Sequence, residues 1–322
     1  MKSYVGYSAD ADIRFKATSG GVGTSLIKWM FDKEIIGTSV SFDFDADSLR
    51  YVPKMIHSFS EYVICGSIYQ EVDLVGFIKS HVDEITGGFA CFTLPCQTRA
   101  VRAIVEKAGH EAVIIGLTCS SQQTLDATRY LLKRVDVDAA NVSRLQYRGN
   151  GWPSGIQIET KDGRQVFVPN NNSIWTKIFH SRLFIRPKCF MCQDTLNQYC
   201  DMTLADPWLR EFSGEKIGKT LMVCNSKKGE GILQRCAMEG YIELKEFSYD
   251  DIVKSQSGTI SRKNSYRHAK AANRYKKIIN NRTYHNLAIN PMFFNIHIQL
   301  KTVSKSFYYI FRNKIITLLK SQ

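Results

Sequence analysis

Apolar positions in the first half of the chain follow two periods in turn. Leu26, Met30, Phe31 and Ile35 recur at helical spacing behind the small-residue stretch Thr18-Ser19-Gly20-Gly21, which predicts a loop running into a helix within residues 11–35. From Gly88 onward an apolar run, Phe89 to Thr93, predicts a buried strand and Leu94-Pro95-Cys96-Gln97 a turn. Val101, Ile104 and Val105 then share one face of a helix over Thr98 to Ala108. The succession repeats at once as strand Val113 to Thr118, turn Cys119-Ser120-Ser121 and helix Gln122 to Arg134, with Leu125, Leu131 and Leu132 on its apolar side. Two consecutive strand-turn-helix units predict a parallel sheet, whose ligands sit beyond the carboxyl ends of the strands. Each turn carries a cysteine at that edge.

The period then changes. Gly155 to Glu159 and Gln165 to Val168 alternate around Lys161-Asp162-Gly163-Arg164, the pattern of an inserted β-hairpin. After Trp208, a strand over Thr220 to Cys224, a turn at Lys227-Lys228-Gly229 and a helix over Glu230 to Gly240 resume the earlier theme. The predicted class is α/β: a parallel or mixed sheet with flanking helices, an inserted β-hairpin segment and a basic, helical C-terminal tail.

Charge divides the chain further. The net charge is +13 over 322 residues, yet Ile252 to Gln322 holds 14 Lys/Arg and no Asp/Glu, so residues 1–251 are close to neutral. The reading is a body over 1–251 and a basic amphipathic tail over 252–322. Phe307 to Phe311 and Ile315 to Leu319, broken by Arg312 and Lys314, suit a helix lying on an anionic membrane surface or packed on protein. Tyr266, Tyr275, Tyr284 and Phe311 match no nucleic-acid recognition module, so nucleic acid is not an expected partner. No run of about 18 uncharged apolar residues is present, and Met1 to Asp10 lacks an apolar signal core. Nine cysteines, an odd number, do not resemble a secreted disulfide scaffold, so a cytoplasmic location, with peripheral membrane attachment through the tail as a variant, is expected.

Cys65, Cys91, Cys224 and Cys236 read as small buried hydrophobes. The others carry candidate chemistry. Cys189-Phe190-Met191-Cys192, with Cys200 beyond it, has the two-residue gap that lets both sulfurs face one point. Together with Cys96 and Cys119 this set suits an iron–sulfur cluster. A zinc stapled by Cys189, Cys192, Cys200 and one other ligand is the alternative, in a non-catalytic or thiol-dependent protein. A catalytic thiol at Cys96, near a helix start, is a third option. The loop Arg14 to Gly21 offers hydroxyls, backbone amides and cations to an anion at a helix start.

Seven motifs in order resemble the coenzyme F420 hydrogenase/dehydrogenase β-subunit family over roughly residues 12–250. They are Ser19-Gly20-Gly21, Gly66-Ser67-Ile68-Tyr69, Thr93-Leu94-Pro95-Cys96-Gln97, the strand ending at Cys119, Arg148-Gly149-Asn150-Gly151-Trp152-Pro153, Cys189-x2-Cys192 and Asp201 to Trp208. The resemblance implies an oxidoreductase with FAD on the α/β body, a [4Fe-4S] cluster close to it, and hydride exchange with the deazaflavin F420 or another acceptor. It implies Cys96, Cys119, Cys189 and Cys192 as cluster ligands, with Cys200 a spare or substitute. It implies Lys16, Thr18, Ser19, Gly20, Gly21, Ser67 and Tyr69 as the flavin site, lined or braced by Arg148, Trp152, Asp206 and Trp208. The chain departs from the family pattern at Ile68, where a lysine is common, at Ser120-Ser121, where His-Gly often follows the cysteine, and at Ala205, where a glycine precedes the aspartate. No cysteine-rich ferredoxin-like module leads the chain, so a separate ferredoxin-like electron donor is expected. Related sequences also occur among genes for surface-polysaccharide assembly, which puts a sugar intermediate among the expected acceptors.

Overall fold

A computed structural model describes residues 2–264, 289–291, 293–296 and 298–299. Among the described residues eleven strands form two sheets. Strands β1 (Ser3–Ser8), β2 (Thr38–Asp45), β3 (Arg50–Ile56), β4 (Phe89–Thr93), β5 (Ala112–Leu117), β9 (Met202–Ala205), β10 (Thr220–Cys224) and β11 (Ile242–Glu246) make an eight-stranded mixed sheet in the order β11-β1-β10-β9-β5-β4-β2-β3. Strands β6 (Val142–Gln146), β7 (Gly155–Thr160) and β8 (Gln165–Pro169) make a separate antiparallel sheet. Within the large sheet β2, β4, β5 and β9 run parallel, and β3, β10, β1 and β11 complete it in antiparallel pairings.

The nine helices assigned among the described residues are α1 (Ala11–Lys16), α2 (Val22–Asp32), α3 (Leu74–Ser80), α4 (Pro95–Lys107), α5 (Leu125–Arg134), α6 (Ile174–Ser181), α7 (Lys227–Met238), α8 (Tyr249–Ser255) and α9 (Ser257–Asn264). Helices cover both faces of the large sheet. On one, Leu26, Ile27, Trp29 and Met30 of α2 join Leu233 and Cys236 of α7 against Val113, Ile115 and Met222. On the other, α3 and α4 pack Leu74, Ile78, Val101 and Val105 against Phe89, Cys91 and Ile114. Burying each such large apolar side chain stabilises the fold by about 1.5–3 kcal/mol. The small sheet has its own core, where Leu145, Tyr147, Ile156, Ile158 and Val168 meet Leu131 of α5 and Trp175 and Ile178 of α6.

The expected α/β class holds, and the sheet is of the mixed kind. Strand β4 spans Phe89 to Thr93 as the apolar run predicts. Helix α4 starts at Pro95 rather than Thr98, because proline's fixed φ suits the first helical position and Gln97 Oε1 accepts from the Leu94 N–H at 2.9 Å. Cys96 therefore stands in the first helical turn. Helix α5 starts at Leu125 rather than Gln122, since the backbone before it is engaged elsewhere: Gln123 N–H donates to Tyr69 O at 2.9 Å and Thr124 N–H to Phe184 O at 2.7 Å. The expected hairpin gains a third strand, β6.

The expected boundary between residues 251 and 252 falls inside α8, whose Ile252 is fully buried beside Val5, Leu221 and Val223. Helix α9 follows it directly, and Phe294 is fully buried against Tyr130 of α5, ring centroids 5.1 Å apart. The amphipathic segment expected over 307–319 lies outside the described residues. Among those described, no helix is long and apolar enough to cross a membrane.

Candidate functional site

Three neighbouring parallel strands end side by side. Cys96 lies three residues past β4, Cys119 two past β5 and Asp206 one past β9. Adjacent strands stand about 4.8 Å apart. The two turn cysteines and the aspartate thus share the carboxyl edge of the sheet, the edge where sheets of this kind bind ligands.

At the cysteine end, a loop carrying Cys189 and Cys192 is stitched to both turns. Asn197, fully buried and in the left-handed region at φ 54°, donates from Nδ2 to Thr93 O at 2.8 Å and accepts from Thr98 Oγ1 at 2.6 Å, which clamps the loop to the turn of Cys96. The Cys119 N–H donates to Thr195 O at 3.0 Å, and Arg186 N–H to Gln122 O at 3.2 Å. Cys119 and Cys189 feel the neighbouring thiols. Burial pushes the Cys119 thiol up to about 12, Lys263 draws it down, and Cys189, Cys96 and Cys192 push it further up. Cys189 is likewise raised, first by burial, with Cys96 and Cys192 adding to the shift and Lys263 opposing it. Lys263, only 3% exposed, donates from Nζ to Cys192 Sγ at 3.4 Å and to Asp194 O at 2.7 Å. Its neighbour Arg262 donates to Ser120 Oγ at 2.6 Å, beside Cys119.

Cys200 stands apart. Its thiol is buried among Asn197 O, Met202 O and Thr203 Oγ1 at 2.9, 3.0 and 3.3 Å, and Asn225 Nδ2 donates to it at 3.3 Å. A tetrahedral zinc with Zn–S near 2.3 Å needs sulfurs within about 4 Å of one another. Among the described residues no three His, Cys, Asp or Glu side chains are placed to hold a metal ion in common. Cys91, Cys224 and Cys236 are buried, and Cys65 half-buried, each with its thiol raised by desolvation.

At the aspartate end, four loops meet around one buried arginine. Arg148 Nη1 donates to Asp206 Oδ2 at 2.7 Å and Nη2 to Ser19 Oγ at 3.3 Å, while the Ser19 hydroxyl donates to Asp206 Oδ1. Burial works against the guanidinium's charge, but Asp206 and then Tyr69 more than offset it and raise its affinity for the proton. Arg148 lies 5.0 Å from the Trp152 ring centroid and 5.9 Å from that of Trp208, and the two indoles stand 4.5 Å apart. Its Nε is buried with no hydrogen-bond partner among the described residues.

Thr18 Oγ1 accepts from Ser67 N–H at 2.9 Å. Gly66, at φ +68°, lies so close to the Arg148 carbonyl that a Cβ there would overlap it. Gly20 and Gly21 also have positive φ, and the atoms a Cβ would meet belong to the protein itself: Gly218 O and Lys219 Cα for Gly20, Ile13 O for Gly21. Tyr69 faces Tyr147, Trp175 and Phe179 at 5.3–5.8 Å, and burial raises its hydroxyl. Lys16 points elsewhere, into an exposed pair with Asp12 at 2.5 Å.

Motif reading passed over Asn197, Thr195, Glu215 and Lys263. Asn197 and Thr195 sit in a polar stretch without period. Lys263 is one of 14 cations in a block with no internal contrast.

Fold and site together define a mixed-sheet α/β protein with cysteine-bearing turns and a buried arginine paired with a half-buried aspartate on one sheet edge. Models of the coenzyme F420 hydrogenase/dehydrogenase β-subunit family match twice, the N-terminal part over residues 3–79 and the C-terminal part over 87–250. The chain belongs to this family of oxidoreductase subunits. It is 22% identical over 253 residues to the β subunit of F420-dependent formate dehydrogenase 1 from Methanococcus maripaludis, a match that covers 75% of this chain and 61% of that protein. A chain in the structure of the F420-reducing [NiFe] hydrogenase complex from Methanosarcina barkeri superposes with a TM-score of 0.62 at 17% identity, covering 82% of this chain and 89% of that one.

Proposed function

We propose that the chain is the β-type subunit of a flavin and iron–sulfur oxidoreductase, exchanging single electrons with a partner protein and hydride with the deazaflavin F420. One observation supports it above the others: Cys96, Cys119 and Asp206 follow three neighbouring parallel strands, so a thiolate-held group and a group on the arginine–aspartate pair would be adjacent. The donor sets fit. Cys96, Cys119, Cys189 and Cys192 supply four soft ligands from three loops, as an iron–sulfur cluster requires. The buried Arg148 Nε is a donor without a partner among the described residues, beside two indoles and a helix-start loop, a setting suited to FAD. When bound, the cluster would carry electrons singly and the flavin in pairs, which together link a one-electron donor to a two-electron acceptor.

The protein's own part is to hold geometry and charge. Asp206 fixes the guanidinium, Ser19 ties both to the loop before α2, and Trp152 and Trp208 cover that pair. Asn197 keeps the Cys189 loop against the Cys96 turn.

The test is anaerobic purification with iron, sulfide and flavin counted per chain, followed by mixing with F420 and a one-electron reductant. The expected result is a brown protein with near four irons and one flavin that bleaches F420 when reduced. A colourless protein, with zinc and no iron, would rule the reading out. Serine at any of the four cysteines should remove iron and leave flavin in place.

A further inference from the structure

The described part of the chain beyond the family match includes α9, and α9 brings a buried cation onto the thiols. Lys263 is 3% exposed, and its Nζ reaches Cys192 Sγ at 3.4 Å and Asp194 O at 2.7 Å. Among the described residues no carboxylate forms an ion pair with it. An ammonium taken out of water is costly unless a counter-charge is close. Four neutral thiols do not provide one, whereas thiolates on a cluster of net negative charge do.

We propose that Lys263 is a positioning residue of the cysteine site, whose ammonium at Cys192 raises the reduction potential of an iron–sulfur cluster held by Cys96, Cys119, Cys189 and Cys192. The proposal rests on the cluster reading above. Charge and hydrogen bonds at the sulfurs are principal determinants of cluster potential. A fixed positive charge favours the reduced form, which carries one more electron. Helix α9 is itself held in place, because Arg262 donates to Ser120 Oγ and α8 anchors the preceding turn through Ile252. A residue beyond the family match thereby tunes the electron affinity of a site whose cysteines lie within the first 200 residues.

The experiment is a redox titration of anaerobically prepared full-length protein, followed by absorbance and electron paramagnetic resonance, with iron counted in every sample. Lys263→Met and Lys263→Gln remove the charge, and Gln keeps a donor for the Asp194 carbonyl if Met fails to fold. Lys263→Arg restores the charge. The neutral variants should retain iron and show at least a tenfold lower equilibrium constant for reduction, about 59 mV for one electron. The arginine variant should stay near the wild type. A neutral variant with full iron and an unchanged potential would overturn the proposal and leave the cluster reading standing. Loss of iron from both neutral variants, with folding intact, would make Lys263 an assembly determinant and also overturn it. A wild-type protein that takes up no iron would remove the cluster reading and the proposal together.

Discussion

Arg148 and Asp206 behave as one unit. The arginine side chain is 3% exposed and the aspartate 24%, so each lowers the cost of the other's burial. Removing one member leaves an uncompensated charge, whereas removing both leaves a polar gap. Asp206→Ala should therefore cost about 3 kcal/mol. The double variant Arg148→Met with Asp206→Ala should cost less than the single, and urea denaturation of the three proteins measures the difference. The arginine and the aspartate were visible as motif residues, but their pairing was not, because 58 positions separate them and no periodicity links them. Cys96, Cys119, Cys189 and Cys192 were legible for the opposite reason: two lie in turns whose place a parallel sheet dictates, and two share a short local spacing. Lys263 carried no such signal, since a cation among cations is distinguished only by what it touches.

At the level of elements, the loop between β9 and β10 is organised by one carboxylate. Glu215 Oε1 accepts from the N–H groups of Lys216, Ile217 and Gly218 at 3.1, 2.9 and 3.1 Å, and Arg14 stands 3.8 Å away. Partial burial works against the charged form, yet the Gly218 and Ile217 amides and Arg14 outweigh it and hold the carboxyl below its ordinary value of 4.5. A folded-state value below the unfolded one contributes stability above about pH 4.5, lost as pH falls through the lower folded value. Glu215→Gln should hence be less stable than the wild type near neutrality, with the gap closing as denaturation is repeated toward pH 3. Gly218 of this loop lies against Gly20, and Lys216 O accepts from Trp152 N–H at 2.7 Å, so the arginine–aspartate pair loses support as the loop loosens. Helix and strand periods foretold α2, β4, α4, β5, α5, β7, β8, β10 and α7, whose apolar faces are complete within each segment. Strands β1, β2, β3, β6, β9 and β11 escaped them. Their burial is decided by partners far along the chain, as in Thr-Ser-Val-Ser-Phe-Asp-Phe-Asp of β2, where the first four residues are buried irrespective of polarity.

For the molecule as a whole, the later residues complete the body. Phe294 closes the core of the small sheet against Tyr130, and Arg134 lies over its ring at 5.8 Å. Phe294→Ala should cost about 3–5 kcal/mol in thermal or chemical denaturation, the range for emptying a buried aromatic site. Strand β1 is paired on both sides, but only with β10 and β11, whose residues lie more than 210 positions further on. Synthesis at roughly 5–20 residues per second puts about 10–50 s between the emergence of β1 from the ribosome and that of its second neighbour. During that interval the central sheet lacks a flanking strand, and for most of it Ser19 has no Asp206 to bind. The arginine–aspartate site is then complete only once Asp206 has been made. A stalled or shortened chain is left with an open strand edge that favours capture by chaperones over function.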